Sequence, residues 1–491
     1  MKSSRFSPSS PEALRRRLCQ SLALAFAGFG GAARAQYGGY GSPPPAAPAA
    51  PVPVPAAAPA VASTPAVPRA GGETRLALVI GNRVYPTPHD LPSMHKNVRD
   101  MQAALEQRGF RVTAGVDLDP SQSKAAIDAF EREVQAAPPD AVVFFYFSGH
   151  GVQAEAENLL VSSGVDPGRP DAVAKGSIVL GPDVVLRLQG RPQGLTIAVI
   201  DACRTDLRAA LKPGEGLNQV EAPPGCLIAF STGAGRPALA PNNEAQNTFY
   251  TAALVNQLTS ASGELSFSDL FRLVKLETQR TMLNHPLALI RQFAQFPFIA
   301  ENTRQPVLLA PRPAPAAVAA GGRFSTEDEA RDWAALQATA WPPDVVKQAD
   351  QYLARYPGSK LAGAAEVVKE GATEAAAILR RNDIRLFRRS FDMPPGADAD
   401  YQADLLKSAR GDKDAAARIG RVWRTEAQSG PEVSRYEGWM QYAAELGNGI
   451  ASYELALHYR RTGQPQPAAR WETRARELGY TPPPSLDNQR K

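Results

Sequence analysis

Apolar residues in the first part of the chain form short continuous runs that are separated by amphipathic segments. The runs predict strands, most of them buried on both faces, over residues 76–80, 110–112, 141–147, 196–200 and 227–230. Apolar residues at helical spacing predict helices over residues 96–108, 123–135, 247–259 and 266–281. Strands that alternate with helices of this length indicate an α/β fold with a mostly parallel sheet flanked by helices. In such sheets the chemistry lies beyond the carboxyl ends of the strands.

The last third of the chain favours helix from residue 324 onward and repeats itself. Residues at helix-packing positions recur 36 residues apart, where Gly411, Ala415, Ile419 and Trp423 correspond to Gly447, Ala451, Leu455 and Tyr459. Residues 439–447 correspond to residues 471–479. Repeats of this length are typical of stacked helix pairs, which present concave surfaces to proteins or peptides. The pattern predicts an all-α repeat module that binds a protein partner, although most of these positions are expected to form its core.

Composition predicts the boundaries of the signal peptide, the two linkers and the two folded domains. Basic residues, a short apolar stretch and the pair Ala33 and Ala35 predict a signal peptide over residues 1–35 and export to the periplasm or the medium. A buried helix or a lone membrane anchor is the alternative. Residues 36–72 and 304–322 are rich in Pro and Ala and are expected to be extended linkers. The two folded domains are therefore predicted at residues 73–303 and 323–484.

Charge and cysteine content exclude several functional classes. The 54 Lys and Arg residues and 49 Asp and Glu residues alternate in sign, so the net charge of +5 gives no support to nucleic-acid binding. No long apolar run follows the first 35 residues, and we expect no integral membrane span. Cys19 lies in the predicted signal peptide, and Cys203 and Cys226 lack the spacing of a metal or redox motif. We expect no metal and no cofactor.

Two strand ends carry residues suited to cysteine chemistry. His150, between Gly149 and Gly151, follows one buried run, and Cys203 follows another. Carboxyl ends of parallel strands share one edge of a sheet, so these side chains can face the same crevice. A thiolate attacks, an imidazole assists its formation and protonates the leaving amine, and glycines let backbone amides approach an oxyanion. The alternative is a packed histidine and a packed cysteine, which is the role expected for Cys226.

The remaining histidines lack a strand end flanked by glycines. They are His89, His95, His285 and His458. We expect none of them to be catalytic.

The order and spacing of His150 and Cys203 resemble those of the caspases. The two residues are 53 positions apart, close to the caspase spacing, and residues 201–205 partly match the caspase signature Q-A-C-[RQG]-G. The stretch from about residue 75 to residue 303 resembles the caspase-like fold of metacaspases and their bacterial relatives. The resemblance implies catalytic roles for His150 and Cys203, with an oxyanion site at the backbone amides of Gly151 and Cys203. The helical repeats resemble tetratricopeptide-like modules of the Sel type.

The resemblance also bears on substrate specificity. Metacaspase-like enzymes that cut after Arg or Lys have an acidic pocket, to which Asp201 would contribute here. A second carboxylate is expected where this chain has Asn97. Ser148 and Ser231 are candidates for the pocket walls, although small polar residues after strands are often turn residues. We therefore expect weakened or altered selectivity for Arg or Lys, and rejection of acidic side chains by Asp201.

These observations predict an exported cysteine endopeptidase that acts on proteins or peptides through His150 and Cys203. The alternative is a catalytically weak or inactive caspase-like scaffold that binds protein partners through its repeats, because Asn97 removes a pocket charge. The segment 204–224 is expected to be a loop that proteases can cut at its basic residues. A short helix over residues 207–211 is the alternative there.

Overall fold

The computed structural model describes residues 61–63, 72–154, 156–191, 193–206, 219–233, 238–312, 324–424 and 430–482. For residues 61–63 and 203–206 it describes the backbone alone. The predicted signal peptide, most of the first linker and residues 207–218 lie outside this range. Within the described residues, no helix is long and apolar enough to cross a membrane.

The strands of the described chain form one sheet. They are β1 (Val61–Ser63), β2 (Arg75–Gly81), β3 (Arg111–Val116), β4 (Val142–Ala154), β5 (Glu157–Val161), β6 (Ser177–Val179), β7 (Leu195–Asp206), β8 (Cys226–Phe230) and β9 (Phe298–Asn302). Strands β3, β2, β4, β7 and β8 lie side by side in parallel. Strands β1 and β9 pair antiparallel at the two edges, and β5 and β6 extend antiparallel from the end of β4. The predicted mostly parallel sheet is confirmed.

Helices cover both faces of this sheet. They are α1 (Met94–Gln107), α2 (Pro120–Ala136), α3 (Pro170–Gly176), α4 (Leu186–Leu188), α5 (Phe249–Ser260), α6 (Phe267–Leu283) and α7 (Ala288–Gln292). Alternate strand residues face opposite sides, as the two-residue period of a strand requires. On one side Val79 and Tyr146 pack in a cluster with Met101 of α1, and on the other Leu78 packs in a cluster with Phe130 of α2.

Strands β4 and β7 are longer than the sequence predicts. The apolar runs end at Phe147 and Ile200, but the parallel pairing continues from that register pair to Gln153 and Asp206. His150 and Cys203 therefore lie within the ends of the strands, whereas the sequence predicted that they follow them. The apolar pattern stops early because most of the extra residues are glycine or polar, although Ala202 and Val152 still pack in hydrophobic clusters.

The rest of the described chain is helical. The helices are α8 (Glu327–Ala338), α9 (Pro342–Arg355), α10 (Ala362–Leu379), α11 (Ala399–Ser408), α12 (Lys413–Val422), α13 (Pro431–Glu445), α14 (Gly449–Arg461) and α15 (Pro465–Glu477). Gly411 and Gly447 have φ angles of +79° and +103° and occupy matching turns, before α12 and α14 respectively. Asp412 and Asn448 then cap the following helices. The helical region is confirmed, and its Sel type stays a prediction.

The two predicted domains meet through a buried polar junction. The Glu301 side chain on β9, 3% exposed, accepts hydrogen bonds from Lys407 Nζ at 3.0 Å and Arg272 Nη2 at 3.1 Å. The Glu301 amide donates to Asp414 Oδ2 of α12 at 3.0 Å. The hydrophobic cluster on one sheet face also continues into the helical region. The helical region, called the helical module below, therefore packs directly against the sheet region.

The boundaries between domains stay predictions. The start of the predicted second linker nevertheless packs on the sheet region, where Leu309 is buried. The guanidinium of Arg75 donates to the carbonyls of Leu308, Leu309 and Ala310. These hydrogen bonds satisfy backbone acceptors that burial would otherwise leave unpaired.

Candidate active site

The His150 imidazole is held on two sides at the carboxyl end of β4. Its Nε2 lies 2.8 Å from the carbonyl oxygen of His89. The ring of Tyr85 packs edge-on against it, with 4.6 Å between centroids, and the Tyr85 hydroxyl accepts a hydrogen bond from the His150 amide at 3.3 Å. A carbonyl can only accept, so Nε2 carries the hydrogen and the Nδ1 lone pair is left for acid–base chemistry.

The protonation of His150 suits a general base. Burial lowers the pKa of His150, and the hydrogen bond to the His89 carbonyl offsets only part of this change. A lowered pKa leaves the imidazole neutral near pH 7. It can then accept a proton from a thiol.

The loop that carries His89 is fixed at several points. Asp117 Oδ1 accepts hydrogen bonds from the amides of Arg83 and Val84, at 2.6 and 3.0 Å. The other carboxylate oxygen of Asp117 lies 2.6 Å from Nε2 of His95. Sequence analysis missed this role of the His89 carbonyl, because a backbone oxygen carries no residue-type signal. It also treated His95 only as a rejected catalytic candidate.

The backbone of Cys203 lies directly beside that of His150. The two residues are register partners in the parallel pair β4–β7, as are Ser148 with Asp201 and Gly151 with Arg204. Neighbouring strands in a sheet are about 4.8 Å apart. The fold thus brings together the backbones of the two residues that the sequence selected.

Gly151 has a paired strand on each side. Its Cα is in register with Leu160 of β5 and with Arg204 of β7. A backbone amide in such a position normally bonds to a neighbouring strand. An oxyanion role for the Gly151 amide therefore requires this amide to leave its neighbouring strand locally.

The predicted pocket residues form one buried hydrogen-bonded group. Asn97 Nδ2 donates to Ser148 Oγ at 3.0 Å, and Asn97 Oδ1 accepts from the Thr248 amide at 3.2 Å. The hydroxyls of Thr248 and Thr251 both donate to Asp201 Oδ2. Thr248 thereby links Asn97 to Asp201. All five side chains are buried.

Ser231 lies at the end of β8. It is fully buried, its amide donates to the Ile200 carbonyl at 3.0 Å, and its own carbonyl accepts from Gln295 Nε2 at 3.0 Å. Thr248 and Thr251, which the sequence analysis missed, lie at the start of α5, where Thr248 is the N-cap. That capping position was their available sequence signal.

Residues 74–308 match the family model of the caspase domain. We call residues 74–308 the caspase-like region below. Caspase domains belong to a cysteine peptidase family, so the match supports this reaction class and protein substrates. No curated protein matches the chain.

Asp201, the acidic residue of the predicted pocket, has a shifted pKa. Burial raises the pKa of Asp201, and the hydroxyls of Thr248 and Thr251 offset only part of the increase. A side-chain hydrogen bond from Ser231 offsets a further part of the increase. A basic side chain that reached Asp201 would favour its carboxylate form.

Cys226 is a core thiol of the caspase-like region. It is 1% exposed and packs among the apolar residues of one sheet face. Burial raises the pKa of Cys226 to about 12, which leaves almost no thiolate at neutral pH. The prediction of a core thiol is confirmed. Elsewhere, the part of the chain that the structure describes has no group of three His, Cys, Asp or Glu side chains able to hold a metal.

Proposed function

We propose that this chain is an exported cysteine endopeptidase that hydrolyses peptide bonds with Cys203 as nucleophile and His150 as general base. The observation that carries the proposal is the register of His150 with Cys203, together with the imidazole held by the His89 carbonyl. The neutral His150 ring takes the thiol proton at Nδ1, and the resulting thiolate attacks the substrate carbonyl.

The rest of the cycle follows from the same groups. The oxyanion accepts hydrogen bonds from the amides of Cys203 and Gly151, once the Gly151 amide has left its neighbouring strand. Protonated His150 gives its proton to the leaving amine, and a thioester to Cys203 remains. Water, deprotonated by His150, then attacks the thioester and releases the acid product and the thiol.

We propose Arg or Lys as the residue before the cleaved bond. Asp201 supplies one negative charge when it is ionised, and it is the acidic residue of the predicted pocket. Asn97 supplies a neutral amide where a second carboxylate would strengthen cation binding. Selectivity for basic residues is therefore present but moderate.

A catalytically weak scaffold is the second candidate. It is favoured by the closed hydrogen bonding of Asn97, Thr248 and Asp201, which leaves little of the pocket open to a side chain. The function test is an acyloxymethyl ketone probe with an Arg, Gln or Asp side chain, incubated with the mature chain and with Cys203→Ala. Labelling of Cys203 by the Arg probe supports the peptidase. Failure of all three probes favours the scaffold.

Export and partner binding complete the proposal. The N-terminal 35 residues direct export, and the helical module binds a protein partner. Fractionation of cells that express the chain with and without residues 1–35 tests export. Retention of both forms inside the cell would contradict it.

The Asn97→Asp variant is expected to raise kcat/KM for Arg and Lys substrates about tenfold. A second charge at ~4 Å from the substrate cation is worth about 4 kcal/mol at an effective dielectric near 20, before desolvation reduces it. The carboxylate keeps the acceptor for the Thr248 amide, and the Ser148 hydroxyl can rotate to donate to it. Kinetics with matched Arg and Gln substrates measure the effect. An equal gain on both substrates would contradict the pocket assignment.

The pH profile of kcat/KM is expected to depend on the substrate. With a neutral Gln substrate, activity rises with pH as His150 loses its proton, at a pKa below the usual value. With an Arg substrate, activity also requires ionised Asp201. Because the pKa of Asp201 is raised, its carboxylate becomes protonated at a higher pH than that of an ordinary Asp. The acid limb with the Arg substrate therefore contains two protonations, of His150 and of Asp201, where the limb with the Gln substrate contains one. Superimposable profiles would exclude Asp201 from the binding of basic residues.

A further inference from the structure

The backbone of His150 lies in a gap between two strands that share one side of β4. Strand β2 is paired with β4 as far as Ser148, and β5 is paired with it from Gly151 onward. Strand β7 occupies the other side of β4 over this whole stretch. Gly149 and His150 therefore form the step at which β4 passes from one strand partner to the next.

The hydroxyl of Tyr85 fills this gap. The register between β4 and β5 reaches Gly151, so its next pair would be His150 with Val161. Instead of a direct bond between these two backbones, the His150 amide donates to Tyr85 Oη at 3.3 Å. Tyr85 Oη in turn donates to the Val161 carbonyl at 3.0 Å. The hydroxyl is thus inserted into the ladder of backbone hydrogen bonds at the histidine.

Gly149 leaves the space that this hydroxyl occupies. A Cβ atom at position 149 would lie 2.8 Å from Tyr85 Oη and 3.0 Å from Cζ of Phe147. Both distances are well inside the ~3.5 to 4.0 Å of a favourable non-bonded contact. The glycine that precedes His150 is therefore needed for Tyr85 to reach the strand.

The same tyrosine contacts the imidazole and the loop that supports it. Its ring lies edge-on to the His150 ring, with 4.6 Å between centroids, an arrangement that aromatic pairs prefer. Its amide donates to Asp90 Oδ1 at 2.9 Å. Asp90 directly follows His89, whose carbonyl oxygen lies 2.8 Å from the imidazole Nε2. Tyr85 therefore contacts the backbone and the ring of His150, and the loop that carries its acceptor.

The phenol of Tyr85 keeps its proton. The residue is 4% exposed, and burial raises the pKa of Tyr85 well above its usual value. A protonated hydroxyl donates one hydrogen bond and can accept another, as the contacts with Val161 and His150 require. Tyr85 thus holds the histidine without exchanging a proton with it.

We propose that Tyr85 is a positioning residue for His150: its hydroxyl sets the separation of β4 and β5 at the histidine, and its ring orients the imidazole. The inference rests on the proposed function. Without the hydroxyl, the His150 amide loses its partner or bonds directly to the Val161 carbonyl. The first change loosens the histidine, and the second moves it toward β5. Both weaken its alignment with the His89 carbonyl and with Cys203.

The test compares Tyr85→Phe with Tyr442→Phe in the full mature chain. Both substitutions remove a buried hydroxyl that donates to a backbone carbonyl, because Tyr442 Oη donates to the Ser408 carbonyl at 2.8 Å in the helical module. Three quantities are measured: kcat and KM on an Arg substrate, unfolding in urea, and the nitrogen NMR shifts of the His150 imidazole in histidine-labelled protein. His150→Ala identifies the signals. These shifts report which ring nitrogen carries the hydrogen, with or without peptidase activity.

For Tyr85→Phe we expect kcat to fall about tenfold, the scale of a lost buried hydrogen bond, with KM changed by less than about twofold. The imidazole shifts should change from one tautomer, with hydrogen on Nε2, to a mixture of two. Tyr442→Phe should lose similar stability but keep the kcat and the shifts of the wild type. A tyrosine that only stabilised the fold would change the unfolding and leave the other two quantities alone.

Gly149→Ala tests the same contact from the strand. The added methyl group presses on the Tyr85 hydroxyl and should also lower kcat about tenfold, the scale of overpacking in a closed site. Tyr85→Phe removes the atom nearest to this methyl group. The double variant should therefore lose less kcat than the product of the two single losses.

Three results would count against these proposals, and they are distinguishable. Wild-type kcat and imidazole shifts in Tyr85→Phe would show that Tyr85 only packs beside the histidine. Fully multiplicative losses in the double variant would contradict the close approach of the hydroxyl to Gly149. A wild-type chain that cleaves no peptide refutes the proposed function, whereas unchanged shifts in Tyr85→Phe refute the role of Tyr85 whether or not the chain cleaves.

Discussion

Replacing Cys203 or His150 by alanine should lower kcat/KM by about 10⁴-fold or more, with no loss of fold. Without Cys203 there is no nucleophile. Without His150 the thiol loses its base and the leaving amine its acid, a contribution of about 10² to 10⁴ in rate for the acid–base part alone. Peptide hydrolysis rates with circular dichroism on the same samples test this.

His89 provides a control that the sequence did not suggest. The atom near His150 Nε2 is the His89 backbone oxygen, which His89→Ala retains. This variant should keep most of the activity, as should Cys226→Ala, which changes only a core contact. Comparable residual turnover in His150→Ala and His89→Ala would reject His150 as the base.

Glu301→Gln should destabilise the protein by about 3 kcal/mol. Burial alone would raise the pKa of Glu301, but Lys407 and Arg272 outweigh it and hold the pKa well below its usual range. Its contribution to stability is therefore present above the pKa of an unfolded Glu and is lost as pH falls through the folded value. Removing one partner of a buried ion pair leaves the others uncompensated, at a cost of about 3 to 5 kcal/mol. Urea unfolding measures the loss.

Two further variants distinguish the buried ion pairs of Glu301 from ion pairs on the protein surface. Arg304 and Asp400 form an exposed ion pair that also joins the two regions, and Arg304→Ala should change stability little. Lys407→Met combined with Glu301→Gln should lose less than the sum of the single changes. Additive losses, or an equal loss in Arg304→Ala, would show that the buried cluster has no special role.

The sheet was predictable because its central strands are enclosed on both faces. Burial on both faces requires continuous apolar runs such as residues 141–147, and these stand out in any sequence. The ends of β4 and β7 were not predicted, since pairing past Phe147 depends on a neighbouring strand and the residues there are mostly glycine or polar. Their length places His150 and Cys203 in register inside the sheet.

The candidate site also combines features that the sequence indicates with features that it does not. Glycines beside His150 and the spacing to Cys203 are local signals, and the predicted pocket residues follow from a resemblance that stays a prediction. The state of Asp201 was not, because its raised pKa comes from complete burial beneath Thr248 and Thr251, about fifty positions away. Sequence spacing does not report burial, and burial sets the charge of the group.

The sequence by itself determined the α/β sheet and the helical region, and it selected a histidine and a cysteine that the fold places in register. Only the tertiary structure decided two contacts: the His89 carbonyl meets the His150 imidazole, and the Gln219 side chain bonds to the ends of α13, α14 and α15. Both contacts use backbone groups, which every residue has, so the residue type does not predict them. They exist because packing brings together chain segments that are 61 and 230 residues apart.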